Sequence, residues 1–290
     1  MPFPTERVGL RLAPLESTLT PRCILAYAAG LSASEPAFLD DARADGLVAL
    51  PFQCVSPEWP VVLSLRHMLD DTLSPEEARR GVHAIQDSTF HRPMRPGDRL
   101  ATEGHLVSAT AIRAGVLTVC RLETRLQGSG ELVTTTWTSS IYRDVALSGP
   151  PATLEEPPPT PRISRPGEDA VVERLHIPRE MPHVYSECAD IWNPIHTERR
   201  VALAAGLPDI ILHGTATWAL AGLTILRRHA GTDASRLRRI TGRFSGMVIP
   251  GEDIFIRHAP GPEEGQVRFE VQTASGAVAI SQGLAWLDAA

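Results

Sequence analysis

His196 closes the run Asn193-Pro194-Ile195-His196. Histidine is the side chain whose intrinsic pKa near neutrality makes both protonation states accessible for proton transfer. Asp190 lies shortly before it, so a carboxylate and an imidazole are available as base and acid, and Asn193 would orient the histidine or its loop. The structural alternative is that Asn193 and His196 satisfy backbone groups in a tight turn made by Pro194, with Asp190 a solvated carboxylate. Farther on, His213-Gly214 opens an apolar stretch, Thr215 to Leu226, which ends in Arg227, Arg228 and His229 before Gly231. Basic residues followed by a glycine are helix-stop signals, so Gly214 falls at a helix start. Unpaired N–H groups and the helix dipole there favour a developing negative charge, and glycine lets a carbonyl approach closely. His213 either orients that helix or packs as a satisfied core histidine. Tyr185 and Trp192 either line a channel to the site or pack in the core.

The remaining candidates carry less chemistry. His83, His91 and Asp98 read as loop and turn residues, and His176 and His183 form no ligand set. The four cysteines, Cys23, Cys54, Cys120 and Cys188, are far apart and read as reduced and structural. No metal site and no cofactor are expected. A net charge of -6 without a Lys/Arg cluster weighs against nucleic acid as a partner. With 43% hydrophobic and 21% charged residues the composition is globular, and no apolar run is long enough to cross a bilayer. The start, Met1 to Arg7, has no basic stretch followed by an apolar core, so a soluble, cytoplasmic protein without membrane association is the expectation.

These residues need elements to hold them, and 290 residues suit two units, each with its own core. Prolines crowd between Asp144 and Gly167, which predicts an extended, semi-rigid linker over 144–167 between units at 1–143 and 168–290. The units repeat an order of parts. Tyr27-Ala28-Ala29-Gly30 answers Tyr185-Ser186-Glu187-Cys188, and Arg95-Pro96-Gly97-Asp98 answers Ile249-Pro250-Gly251-Glu252, at offsets of 185 − 27 = 158 and 250 − 96 = 154. Strand-like runs follow each Pro-Gly-acid turn: Val116 to Leu126 and Leu132 to Tyr142, then Val267 to Thr273 and Ala277 to Leu287. The helix from Thr215 is uncharged enough to be buried nearly all round, and Pro60 to Leu69 is its counterpart in the first unit. A buried helix wrapped by an antiparallel sheet, twice over, gives an α+β chain.

The segment Tyr185 to Gly214 resembles the active-site signature of the MaoC-like (R)-specific enoyl-thioester hydratases and dehydratases. In that family a Tyr precedes Gly-Asp-x-Asn-Pro-Ile/Leu-His, an acidic residue, an Ala-x-x-x-Gly stretch and Ile-Leu-His-Gly. Asn193-Pro194-Ile195-His196, Glu198, Gly206 and Ile211-Leu212-His213-Gly214 match in order, and Phe90-His91-Arg92-Pro93 with Pro96-Gly97-Asp98 is similar to the non-catalytic first half of two-domain members. The resemblance implies two fused hotdog domains, with the second carrying the site. It also implies a hydro-lyase acting on 3-hydroxyacyl or 2-enoyl thioesters of coenzyme A or an acyl carrier protein. His196 and an aspartate would be the acid/base pair, and the Gly214 amide the oxyanion donor. Counted back from Asn193, the family's aspartate falls on Ile191, and Asp190 is one place early. For Asp190 to act, a local bulge must re-aim it. If it does not, His196 works alone. An Asp-less pocket guiding a cyclisation, isomerisation or conjugate addition, or a silent acyl-binding partner subunit, are the alternatives, and a homodimer is the expected assembly.

Overall fold

In the computed structural model, residues 2–69 and 71–289 are described. The chain begins with β1 (Phe3–Pro4), β2 (Leu15–Thr18), α1 (Pro21–Gly30) and α2 (Pro36–Leu39). A 3-10 turn at Pro51–Cys54 runs into α3 (Val55–Met68), and α4 (Pro75–Arg79) leads to β3 (Gly81–Phe90), β4 (Arg99–Ile112), β5 (Gly115–Leu126) and β6 (Leu132–Arg143). Two short strands follow, β7 (Leu147–Ser148) and β8 (Ala152–Thr153). The second half runs β9 (Val171–His176), α5 (Met181–Ala189), a 3-10 turn at Pro194–His196, α6 (Arg199–Ala204) and α7 (Gly214–His229). It closes with β10 (Leu237–Phe244), β11 (Asp253–Pro260), β12 (Gln266–Thr273) and β13 (Val278–Leu287).

One antiparallel sheet carries both halves, in the order β2-β4-β5-β6-β3-β10-β13-β12-β11-β9, with β8 added to β4. Read outward from the middle, each half lists its strands in the same relative order. The halves join where β3 pairs with β10. Asp87 faces Thr241 there, and residues at the same interval, such as Phe90 and Phe244 (244 − 90 = 154), occupy equivalent places on either side. The fold is a double hotdog.

Each half wraps a helix. In α7 every side chain from Ala216 to Leu226 is buried, because that stretch carries no charge until Arg227. Gly222 lets the other half in: a Cβ there would sit 2.2 Å from the Phe52 ring, which packs edge-on to Trp218 with centroids 5.3 Å apart. The counterpart helix α3 begins at Val55, five residues before Pro60, and ends at Met68. Its Val61 and Leu65, with Leu69 just past its end, cluster with Leu106, Val116 and Leu122 of the sheet. The proline-rich stretch after Asp144 first pairs with the first half through β7 and β8 and beyond β8 is irregular, tied down along the second half. Arg239 donates to the carbonyls of Pro158 and Pro159, and Arg165 clasps the buried Glu270 through two bonds of 2.7 Å. Proline has no N–H to donate to a strand ladder, so this stretch stays outside the sheet and is held through its carbonyls instead.

Candidate active site

Helix α5 buries Tyr185, Ser186 and Ala189 and then has to stop. It does so at Asp190, whose backbone is left-handed (φ 54°, ψ 41°), with the Ile191 N–H returning to the Ser186 carbonyl at 3.0 Å. That conformation suits glycine, asparagine or aspartate. It turns the Asp190 side chain out to solvent, without a hydrogen bond or ion pair among the described residues, and turns Ile191 in, 4% exposed within the core. The helix end that suits an Asp-like residue thus leaves the Asp190 carboxylate at the surface, while the side chain that turns into the core is that of Ile191. Trp192 is 58% exposed, so its indole stands on the surface rather than lining the interior.

His196 is placed by its neighbours. Its N–H donates to the Asn193 carbonyl at 3.0 Å, and its Nδ1 donates to the Ile211 carbonyl at 2.8 Å. Asn193 thus acts through its backbone, and its side chain has no partner among the described residues. With Nδ1 committed, the Nε2 lone pair is left to accept a proton. Burial holds the His196 pKa down at about 4, against the Ile211 bond, which raises it.

The His196 ring stacks on that of His213, with centroids 3.7 Å apart and planes 25° from parallel. His213 is 2% exposed, and its Nε2 lies 3.1 Å from Ser186 Oγ. Burial first, then the neighbouring His196, pushes its pKa down to about 2, so two stacked imidazoles are neutral together at physiological pH. A neutral ring can pack face to face where two cations would repel.

Gly214, directly after His213, is the first residue of α7, and its N–H has no acceptor among the described residues. A Cβ at Gly214 would meet the Phe244 ring at 3.1 Å, so glycine keeps this approach open. Tyr185 is fully buried. Its hydroxyl donates to Thr215 Oγ1 at 3.3 Å and lies 3.4 Å from the hydroxyl of Tyr27, which donates to the Phe52 carbonyl at 2.8 Å. The two tyrosines that the repeat equates meet between the halves and brace the α7 start from beneath. His196, His213 and Gly214 come together, Tyr185 supports them, and Asp190 and Trp192 stand outside.

One residue of the site came from a place read as a loop. His83 lies on β3, where its Nε2 sits 3.0 Å from Thr138 Oγ1 and its ring 4.6 Å from Phe244. Burial lowers its pKa to about 4. Nothing local marks it, since the partner that gives it a place is 161 residues away (244 − 83 = 161) and reaches it only through the β3–β10 seam.

The first half holds the same backbone without the same chemistry. Ser32, left-handed at φ 54°, takes the place of Asp190, Pro36 that of Pro194, and the buried Phe38 that of His196 (196 − 38 = 158). The Ala49 N–H donates to the Met94 carbonyl at 3.0 Å as the Leu212 N–H does to that of Val248 at 2.9 Å. Leu50 consequently stands for His213, and Pro51, which has no N–H, for Gly214.

Comparison with known proteins agrees with the fold. Residues 175–278 match the MaoC like domain, and residues 6–136 match the FAS1-like dehydratase domain region. The mouse peroxisomal multifunctional enzyme type 2 is 24% identical over 85% of this chain, and the chain spans 34% of that protein's length. The 3-hydroxyacyl-thioester dehydratase Y of Mycobacterium tuberculosis is 28% identical over 60% of this chain and 59% of its own. A MaoC-like dehydratase from Phytophthora capsici superposes with a TM-score of 0.84 at 21% identity, covering 98% of this chain and 99% of that one. The first half's repeat of the fold, the second half's signature and the two matched domain models lead to one placement: the second half is a MaoC like domain and the first a FAS1-like dehydratase domain region, together in a double hotdog fold.

Proposed function

We propose that the chain is a hydro-lyase interconverting 3-hydroxyacyl and 2-enoyl thioesters, carried on coenzyme A or an acyl carrier protein, with His196 as the acid/base group and the Gly214 amide as the oxyanion donor. The observation that carries this reading is the free Nε2 of His196, held by the Nδ1 bond to the Ile211 carbonyl beside an uncommitted helix N-terminal N–H. The similarity to a 3-hydroxyacyl-thioester dehydratase supports the same chemistry.

The pathway balances with one histidine. In dehydration Nε2 takes the α-proton while the electrons of that C–H bond move onto the thioester oxygen, where the Gly214 N–H and the α7 dipole stabilise the charge. The imidazolium then returns its proton to the β-hydroxyl, which leaves as water as the Cα–Cβ double bond forms. His196 ends neutral, as it began. Because the side chain at position 191 is apolar and buried, no carboxylate there shares the work. This favours dehydration of an activated β-hydroxy thioester over hydration of an unactivated enoyl chain. The first half, with Phe38, Leu50 and Pro51 where the second has His196, His213 and Gly214, is proposed to be non-catalytic, joined to residues 168–290 by the strap at 144–167.

The test follows the absorbance of the conjugated enoyl thioester, with product mass, over a panel of 3-hydroxyacyl and enoyl thioesters. Wild type is expected to interconvert them, and His196→Ala to lower kcat/KM by about 10²–10⁴-fold while keeping the fold. With the His196 pKa near 4, kcat/KM rises as pH climbs through that value and is flat across neutrality on this limb. A wild type inert on the whole panel removes the hydro-lyase reading. The search then turns to cyclisation or conjugate addition, which the apolar Ile191 position favours as the second reading.

A further inference from the structure

The first half has no imidazole and, at Pro51, no N–H where the second half has its site, yet it keeps the tyrosine. Tyr27 on α1 answers Tyr185 on α5, and both are fully buried. The two helices pack so closely that a Cβ at Gly30 would meet Cys188 Cβ at 2.8 Å. Each phenol reaches the start of its own half's central helix. Tyr185 donates to Oγ1 of Thr215, the residue after Gly214, and Tyr27 donates to the carbonyl of Phe52, the residue after Pro51. Burial pushes both phenols up, that of Tyr185 to about 12, so both stay protonated.

These bonds close a ring of contacts on α7. The Phe52 ring packs edge-on to Trp218 and against Gly222, one and two turns into the helix, and the Phe52 carbonyl holds the Tyr27 hydroxyl at 2.8 Å. With its one proton committed there, Tyr27 can only accept from Tyr185, whose hydroxyl lies 3.4 Å away. Tyr185 thus has one proton and two acceptors, Tyr27 and Thr215, so its hydroxyl is held from both sides. Its ring also lies 5.0 Å from that of His213, which stacks on His196. Because both phenols are buried, solvent cannot replace a hydroxyl that is removed. An oxyanion donor acts only when its N–H points at the oxygen, and a misplacement of about 1 Å at a reacting site costs about a hundredfold in rate.

We infer that Tyr27 is a positioning residue for the reaction in the other half: its hydroxyl fixes Tyr185, and through Tyr185 the Gly214 end of α7 and the His213 ring that packs on His196. The inference rests on the hydro-lyase reading for the reaction that is positioned. It gives the half that lacks the catalytic histidine a part in the rate, without contact with the reacting atoms.

The experiment removes that hydroxyl alone, as Tyr27→Phe, and measures turnover of a 3-hydroxyacyl-CoA well below the melting temperature of the variant. It is expected to lower kcat about threefold to thirtyfold and leave KM within about twofold. Tyr27→Phe combined with Tyr185→Phe should be no slower than Tyr185→Phe alone, because the first acts through the second. Leu106→Ala, in the separate core beneath α3, is the control that lowers the melting temperature and leaves kcat unchanged. If Tyr27→Phe fails to fold, Tyr27→Gln, whose amide can still donate to the Phe52 carbonyl, takes its place. Wild-type kcat in the Tyr27 variant overturns the proposal, as does a loss that multiplies with that of Tyr185→Phe or that Leu106→Ala shares. If wild type turns over no thioester, the hydro-lyase reading is what has failed, and the imidazole NMR resonances of His196 and His213 decide whether Tyr27 sets the site. A shift in the Tyr27 variant that Leu106→Ala lacks supports the proposal, and resonances that stay in place, or move in both variants, overturn it.

Discussion

Asp190 and Ile191 divide between them what one aspartate would do if it stood at position 191. Asp190 has the left-handed backbone that ends α5, and Ile191 has the inward direction. A conformational role at 190 predicts that Asp190→Asn and Asp190→Gly keep activity within about twofold, whereas Asp190→Val, β-branched at positive φ, lowers stability by about 1–2 kcal/mol. Turnover and thermal melting of the three variants check both halves of that expectation. Loss of turnover in Asp190→Asn with an unchanged melting temperature would restore a chemical role to the carboxylate. His196 needs no such partner to be a base, because the Ile211 carbonyl sets its tautomer.

At the scale of elements, the two central helices differ in what they bury. Helix α7 buries an uncharged run, whereas α3 buries Glu58, which accepts a bond of 2.6 Å from Thr136 Oγ1. Burial raises the Glu58 pKa to about 8, with the Thr136 and Gln86 bonds pulling the other way. Since the folded pKa exceeds the unfolded one, the unfolded state holds fewer protons between about 4.5 and 8. Stability is therefore fully present below the unfolded value and is lost as pH rises through that window. Glu58→Gln, which keeps the shape and removes the charge, should raise the melting temperature at pH 8 by several degrees and do little at pH 5. Melting curves at the two pH values check this, and an equal shift at both would show that ionisation of Glu58 is not the cause.

The whole molecule depends on the β3–β10 seam. Arg239 on β10 clasps Asp87 on β3 through bonds of 2.8 and 2.6 Å, lies 4.4 Å from the Trp286 ring centroid, and holds the carbonyls of Pro158 and Pro159. Asp87 is buried and Arg239 largely so, at 6% and 13% side-chain exposure. Removing one leaves the other charged and unpaired, so Arg239→Met is expected to cost about 3–5 kcal/mol in urea unfolding. Arg239→Met combined with Asp87→Leu should recover a large share of that loss. If the double variant is as unstable as the single one, the strap contacts of Arg239, rather than its ion pair, hold the seam.

By itself the sequence determined whatever depends on short range. The strands after each Pro-Gly-acid turn, the charge-free α7 and the Asn-Pro-Ile-His turn all stand as read, because side-chain periodicity, proline and the helix-end residues act within a few positions of themselves. The repeat was legible as well, at intervals the structure keeps. Tertiary structure alone decided the direction of Asp190 and the company of His83. A left-handed helix end sets the first, and the second depends on which strands meet at the seam between the halves. The contrast in side chains between the two halves was decided there too. Phe38, Leu50 and Pro51 are ordinary apolar residues until the repeat sets them at the positions that answer to His196, His213 and Gly214, where they offer no imidazole and, at Pro51, no N–H.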